Sequence, residues 1–387
     1  MNENSGRAKL RLMTVVGTRP EIIKLSEIIR KCDRYFEQIL VHTGQNYDYE
    51  LNEVFFSELG LRKPDHFLDA AGDNVGETMG RVIERSYQVM EAERPDAVLV
   101  LGDTNSCLCV ISAKRLKIPV FHMEAGNRCK DENLPEEVIR RIVDVTSDVN
   151  LCYSEEARRN ILGAGVRPEY TFVVGSPMRE ILSRHAGSIR SSDVLRRLGL
   201  EEKGYILLSA HREENIDDES NFRSLVSAIN AAAEAFDMPV LYSCHPRAEK
   251  MIERRDAVFD SRVRRHKPLG FTDYNRLQKS SFCVISDSGT LPEESAFYRA
   301  EGEAFPAVSI RTSTERQEAV QEGAFLLSGV TPEGIVGAIR MAVEMCGAND
   351  LGGSVPSYAC PDVSSKVVKL IQSYTGVIND MVWRKTR

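Results

Sequence analysis

The sequence predicts an α/β fold of two open parallel sheets, each with helices on both faces, facing one another across a cleft. Three observations lead there. Apolar runs of strand length alternate with longer amphipathic stretches almost from end to end. The 387 residues suit two domains at roughly 100–200 residues each. Polar or charged residues follow nearly every apolar run, and open α/β sheets bind ligands just outside those strand ends.

The strand candidates of the first half are Leu10–Val16, Gln38–His42, Ala97–Leu101, Pro119–Met123 and Val149–Tyr153. Those of the second are Tyr205–Ser209, Pro239–Ser243, Phe282–Ser286 and Ala307–Ile310. Helical periodicity fills the gaps, as in Asn74–Ala92, Asn221–Phe236 and Pro332–Met345. The longest stretch without a strand candidate runs from Ser176 to about Lys203. It holds two short helical patterns, Met178–His185 and Ser191–Leu198, parted by Gly187-Ser188. The domain boundary belongs there, giving a first domain over 1–180 and a second over 181–362.

Composition removes several classes. At 42% hydrophobic and 28% charged the chain is an ordinary globular one, and Gly and Pro are too few for a collagen-like or low-complexity protein. No apolar run approaches the ~18 residues of a membrane span, and the polar start Met1–Gly6 is not a secretory signal. No membrane partner is expected. A net charge of −7 argues against nucleic acid as a partner, so an anionic ligand must meet a local positive cluster. Nine cysteines without a C-x-x-C pair form neither a disulfide framework nor a zinc finger, which points to a reducing, cytoplasmic setting.

The loops after the strands carry the chemistry. Gly17-Thr18-Arg19-Pro20-Glu21 joins a buried strand to a helix, with Thr18 as a cap and Pro20 in the first turn. It reads either as an ordinary turn or as an anion site, where free N–H groups and the helix dipole are aided by Arg19 and Lys24. It lacks G-x-G-x-x-G, so no NAD is indicated and no cofactor is expected. Asp287-Ser288-Gly289-Thr290 with Glu293-Glu294 is the matching loop of the second half. Ser288, Gly289 and Thr290 can offer donors to a phosphate, and Glu294 can accept from a ribose diol. A capped helix start with first-turn acids is the plainer alternative.

Asp103 and Glu124 end consecutive buried strands, which brings them near one another where desolvation would raise their pKa. Glu136 opens a helix with Arg140 at i+4, and a surface ion pair would explain those two. Converging carboxylates of this kind are candidates for proton transfer. His122-Met123-Glu124 mimics H-x-E of zinc deaminases, but neither P-C-x-x-C nor H-E-x-x-H occurs, so no metal is expected. His211 with Arg212, and His245 with Arg247, read as a phosphate surround rather than as packed side chains.

Together these motifs resemble the non-hydrolysing UDP-N-acetylglucosamine 2-epimerase family over essentially the whole chain. The resemblance is carried by Gly17–Glu21 with Lys24, Gly102-Asp103-Thr104, His122–Gly126 and Pro135-Glu136-Glu137 with Arg140. It continues in His211-Arg212-Glu213, Ser286–Gly289 with Glu293-Glu294, and Thr314-Glu315-Arg316. It implies two Rossmann-like domains in a GT-B-like arrangement, a last helix (363–387) crossing back to the first domain, and a homodimer. It further implies that Arg19, His211, Arg212, Ser288, Gly289 and Glu294 hold UDP, with Thr290 and Arg311 among the residues that bind the UDP-sugar. Lys24 and Arg140 join them around the UDP-sugar, and Asp103, Glu124 and Glu136, with His211, serve catalysis.

Departures from the family pattern point to a subgroup. Gln45-Asn46-Tyr47-Asp48 stands where Gln-His is common, Thr290 stands where a second glycine is usual, and Gln317 replaces a proline after Arg316. The Asn127–Leu134 linker differs too. These features look more like the UDP-N-acetyl-L-fucosamine synthases of capsule and O-antigen synthesis, which epimerise C2 of UDP-2-acetamido-2,6-dideoxy-L-talose. UDP-N-acetylglucosamine/UDP-N-acetylmannosamine interconversion is the alternative.

Chemistry then fixes the route. C2 of a 2-acetamido sugar adjoins no carbonyl, so deprotonation alone would give an unstabilised carbanion. Without NAD no transient ketone forms, and elimination remains: the C2 proton leaves as UDP departs from C1, giving a 2-acetamidoglycal. UDP then adds back with protonation on the opposite face. That requires a base, an acid on the other face, and stabilisation of the leaving diphosphate. A UDP-sugar glycosyltransferase would need an acceptor site that the first half does not display, and a non-catalytic UDP-sugar sensor would not need three carboxylates.

Overall fold

The computed structural model describes residues 9–45, 49–129 and 134–385, so Asn46-Tyr47-Asp48 and Lys130–Asn133 lie outside the described residues. Two compact units divide the chain at Ile181/Leu182 and at Ala359/Cys360, the segment from Cys360 onward belonging with the first.

Short aliphatic runs that tolerate burial on both faces form the sheets. In the first unit these are β1 (Arg11–Val16), β2 (Glu37–His42), β3 (His66–Phe67), β4 (Ala97–Leu101), β5 (Val120–Met123), β6 (Val149–Cys152) and β7 (Thr171–Val173). They pair in parallel in the order β3-β2-β1-β4-β5-β6-β7. The second unit has β8 (Ile206–Ser209), β9 (Val240–Ser243), β10 (Val263–His266), β11 (Cys283–Ser286), β12 (Ala307–Ser309) and β13 (Leu326–Leu327). Its sheet is also parallel, in the order β10-β9-β8-β11-β12-β13. The predicted fold class is therefore the observed one: two parallel α/β sheets.

Every strand candidate is a strand to within one residue. The strands that periodicity missed, β3, β7, β10 and β13, are the four sheet edges. Each is short and partly exposed, so none shows a continuous apolar run. One helical expectation needs correction. Met178–Ser191 is a single helix that runs through Gly187, followed by Val194–Leu198. A glycine inside a helix costs only about 1 kcal/mol, and Ile181, Leu182 and Ile189 continue a buried face across it.

Amphipathic helices close each core. In Glu219–Phe236, Leu225, Ala228, Ile229 and Ala232 stand at i, i+3, i+4 and i+7 and are buried against the second sheet. At roughly 1.5–3 kcal/mol per large side chain, this face rather than helix propensity holds the element. The helix Val363–Met381 packs in the first unit through Val367, Ile371 and Ile378. The Ser364 N–H donates to Glu180 at 3.0 Å and Lys31 donates to Ser365 Oγ at 2.7 Å. Among the described residues no helix is long and apolar enough to cross a membrane.

In both sheets the first strand lies between the second and the fourth, so chain progress reverses at β1/β4 and at β8/β11. The loops leaving such strands diverge to opposite faces and open a crevice at their carboxyl ends. The loops at these two points are Gly17–Glu21 with Gly102-Asp103-Thr104, and His211-Arg212 with Asp287–Thr290.

Candidate active site

In the first unit, Leu101 of β4 is in register with Met123 of β5, and the Gly102 N–H donates to the Met123 carbonyl at 2.9 Å. Asp103 and Glu124 thus leave adjacent strands, as their spacing predicts. Each carboxylate has its own cation. Asp103 Oδ2 lies 2.7 Å from Arg140 Nε, and Glu124 Oε2 lies 2.7 Å from Lys24 Nζ. Lys24 is itself buried, and its ammonium sits 5.9 Å from the centre of the Tyr153 ring. Arg140 also reaches Glu137 at 3.3 Å, so the i+4 pairing with Glu136 gives way to i+3 and to Asp103. Glu136, half-buried, stands in the first turn of the helix Pro135–Thr146.

Glu124 adopts φ +62°, the left-handed region that a bulky L residue rarely enters. Two neighbours hold it there. His122, two residues back, places Nε2 2.8 Å from the Gly102 carbonyl and Nδ1 3.1 Å from Asp144. Asp144 in turn accepts from the Gly126 N–H at 3.1 Å and pairs with Arg128 at 2.6 Å. A strained carboxylate over-determined by its surroundings is a mark of functional sites.

In the turn after β1 the two backbone donors are already used. The Gly17 and Thr18 N–H groups, offered above to an anion, both donate to Glu21 Oε2, at 2.8 and 2.7 Å. A carboxylate three residues beyond the cap reaches back to the cap's own N–H, and here it does so at full burial. Burial pushes the Glu21 carboxyl up to about 7, against the pull of its hydrogen bonds from Gly17, Thr104 and Thr18. Arg19 opens the helix and lies 5.9 Å over the Phe55 ring. At the end of β2, His42 is stacked on Phe67 with ring centres 5.1 Å apart, and burial lowers its imidazole to about 4.

The second unit gathers cations over buried acids. Asp287, fully buried at the end of β11, accepts from the N–H groups of His211 and Arg212, each at 2.9 Å, and from Asn215 at 3.1 Å. Its other oxygen lies 3.2 Å from His211 Nδ1, while the His211 side chain keeps 42% exposure. Arg212 spans from the Asp287 carbonyl, 2.9 Å from Nε, to Glu315, 3.3 Å from Nη2. Buried Arg311 holds the other Glu315 oxygen at 2.6 Å. Gly289 permits this: a Cβ there would stand 3.1 Å from Glu315 and 3.6 Å from Arg212. Arg316 and Glu293 form a further buried pair at 3.4 Å.

Ser288, Gly289 and Thr290 lie where the loop enters the helix Leu291–Ala300. The Thr290 hydroxyl lies 3.0 Å from Ser288 Oγ and donates to Glu294 Oε1 at 3.1 Å. Gln278 donates to the other Glu294 oxygen at 2.7 Å. His245 caps the helix Pro246–Arg254, and its ring centre is 6.3 Å from that of His211.

Sequence reasoning did not single out Glu21, Asp144, Asp287 or Glu315 as site residues. The spacing Thr18-x-x-Glu21 is a capping-box signal that could have found the first. Glu315 stands at i+4 from Arg311, a pairing signal that could have found it too, whereas Asp144 and Asp287 have no local signature because their partners lie 16 or more residues away. Among the described residues no group of three or more His, Cys, Asp and Glu could hold a metal.

The family model for UDP-N-acetylglucosamine 2-epimerase matches residues 30–372. The chain is similar to the UDP-2,3-diacetamido-2,3-dideoxy-D-glucuronate 2-epimerase of Pseudomonas aeruginosa, 33% identical over 86% of this chain and 92% of that protein. Its fold matches the structure of UDP-N-acetylglucosamine 2-epimerase from Rickettsia bellii with a TM-score of 0.89 and 42% identity, covering 97% of this chain and all of the other. It also matches Methanocaldococcus jannaschii UDP-GlcNAc 2-epimerase in complex with UDP-GlcNAc and UDP, at 0.87 and 29% identity, over 94% of this chain and 99% of that one.

Proposed function

This chain belongs to the UDP-N-acetylglucosamine 2-epimerase family, and we propose that it inverts C2 of a UDP-2-acetamido sugar by eliminating UDP to a 2-acetamidoglycal and adding it back. The observation that carries the reading is the pair of carboxylates Asp103 and Glu124, ending adjacent strands and each beside its own buried cation. Asp103 and Glu124 move the C2 proton, and Glu136 orients the sugar or completes the carboxylate set. Lys24 and Arg140 keep the two acids placed for transfer. Arg19 adds its charge beside the sugar nucleotide. In the second unit His211, Arg212 and Arg311 meet the charge that grows on the departing diphosphate, aided by donors from Ser288, Gly289 and Thr290. Preorganised cations of this sort need no reorganisation as the C1–O bond breaks. Glu294 accepts from the ribose.

UDP-N-acetylglucosamine is the substrate named for most of the relatives and is our first choice. UDP-2-acetamido-2,6-dideoxy-L-talose is the second, favoured by Thr290, whose hydroxyl ties Ser288 to Glu294 where a glycine could not. A second copy of the chain is the partner we assign to the exposed stripe Val138, Ile142 and Val145 on the helix Pro135–Thr146. The free cysteines fit a cytoplasmic protein.

Proton NMR with each sugar nucleotide in D2O tests the reading. Deuterium at C2, read as loss of the H2 signal and of the H1–H2 splitting, together with the new H1 resonance of the epimer, is the expected result, and the faster-exchanging sugar names the substrate. UDP release only on adding an acceptor, with no exchange, would sink epimerisation in favour of glycosyl transfer.

A further inference from the structure

The Glu21 carboxyl has no part in the steps above, yet it joins two of the loops that bear them. Its Oε2 accepts from the turn after β1: Gly17 N at 2.8 Å, Thr18 N at 2.7 Å and Thr18 Oγ1 at 2.9 Å. Its Oε1 accepts from Thr104 Oγ1 at 2.9 Å, and Ser106 Oγ lies 3.4 Å from Oε2. Thr104 is the residue after Asp103.

We propose that Glu21 is a positioning residue that sets the Asp103 carboxylate by holding Thr104 against the Gly17 turn. The inference rests on Asp103 as a proton-transfer group. Asp103 is gripped on both sides. The preceding Gly102 carbonyl is fixed by His122 Nε2 at 2.8 Å, and the following Thr104 is fixed by Glu21. Three loops close tightly here. A Cβ on Gly17 would lie 2.1 Å from both Ser106 Oγ and Thr43 Oγ1, and those two hydroxyls are 3.1 Å apart. Such a junction leaves the Asp103 backbone little freedom, so its carboxylate holds a fixed distance from Arg140. A displacement of about 1 Å in a reacting group costs roughly 10²-fold in rate, which makes this placement a kinetic matter more than one of binding.

The test uses the full chain and C2 deuterium exchange with UDP-N-acetylglucosamine and with UDP-2-acetamido-2,6-dideoxy-L-talose. Thr104→Val removes the hydroxyl at nearly constant shape. It should lower kcat roughly 10- to 100-fold while KM and UDP affinity stay within about threefold. Thr104→Ser should restore kcat. Glu21→Gln should also lose kcat, and the double variant Glu21→Gln/Thr104→Val should be no worse than Glu21→Gln alone, since both break one link. If Glu21→Gln fails to fold, the Val and Ser variants decide by themselves. Wild-type kcat in Thr104→Val, failed rescue by Ser, or additive losses would overturn the inference and leave the epimerase reading standing. A wild type that exchanges neither sugar overturns both.

Discussion

The two units share a strand order and differ in which charge they leave toward solvent. At β4 and β5 the forward groups are the acids Asp103 and Glu124, and the cations Arg140 and Lys24 lie deeper, each with a side chain only 6% exposed. At β8 and β11 the arrangement is inverted: His211 and Arg212 stand forward, and Asp287 and Glu315 are the buried anchors. One sheet order therefore leaves acids forward in one unit and cations forward in the other, the division that the proposed elimination would use. The difference lies in which partner of these ion pairs is pushed beneath the loop; Arg311 is the exception, buried together with its partner Glu315.

The sharpest way to break this contrast is Asp103→Asn. On the proposed mechanism it removes a proton-transfer group but no diphosphate contact, so C2 exchange should fall by about 10³-fold or more. UDP affinity measured by calorimetry should stay within severalfold. Retained turnover would remove Asp103 from the mechanism.

Next in size is the buried pair Lys24–Glu124. Lys24→Met strands a carboxylate and should cost about 3–5 kcal/mol of stability in denaturant melts. Lys24→Met with Glu124→Leu should recover most of that while remaining inactive. Recovery of activity in the double variant would mean the pair is purely structural.

Two strand-end histidines sharpen the comparison further. His42 of the first unit is buried and held down to about 4, whereas His211 of the second faces solvent beside Asp287. A His with a lowered folded pKa is neutral when folded, and it takes up a proton on unfolding below its ordinary 6.5. Its contribution to stability is complete above pH 6.5 and is lost as pH falls toward 4, by up to about 3 kcal/mol. His42→Asn should erase that part of the acid sensitivity in melts from pH 7 to pH 4, and an unchanged pH slope would count against the assignment.

Smallest is Arg212→Ala. Losing one charge-assisted contact of roughly 1.5–3 kcal/mol should weaken UDP about 10- to 100-fold. Binding at wild-type strength would take the arginine out of the diphosphate site.

Much of the fold was legible because it is written in local pattern. Central strands such as Val98–Leu101 and Ile206–Ser209 are buried on both faces, so their apolar runs are continuous and announce themselves. Edge strands such as Val263–His266, carrying two arginines, do not. The candidate site groups came from the same logic, since Asp103, Glu124, His211 and Ser288 stand within two residues of the ends of buried strands. Their partners were not legible. Lys24 meets Glu124 across 100 residues and Arg212 meets Glu315 across 103, and no periodicity reaches that far.

The sequence by itself determined the central strands, most of the helices between them, the parallel α/β class and the polar inventory at the strand ends, because each follows from residues within a few positions of one another. Tertiary structure alone decided how that inventory is used. It gave the Gly17 turn's N–H groups to Glu21, gave Arg140 to Asp103 over Glu136, and buried Asp287 and Glu315 beneath the cations they hold. The physical reason is desolvation: a charge taken out of water must find a partner wherever the fold supplies one, and that is a property of three-dimensional packing.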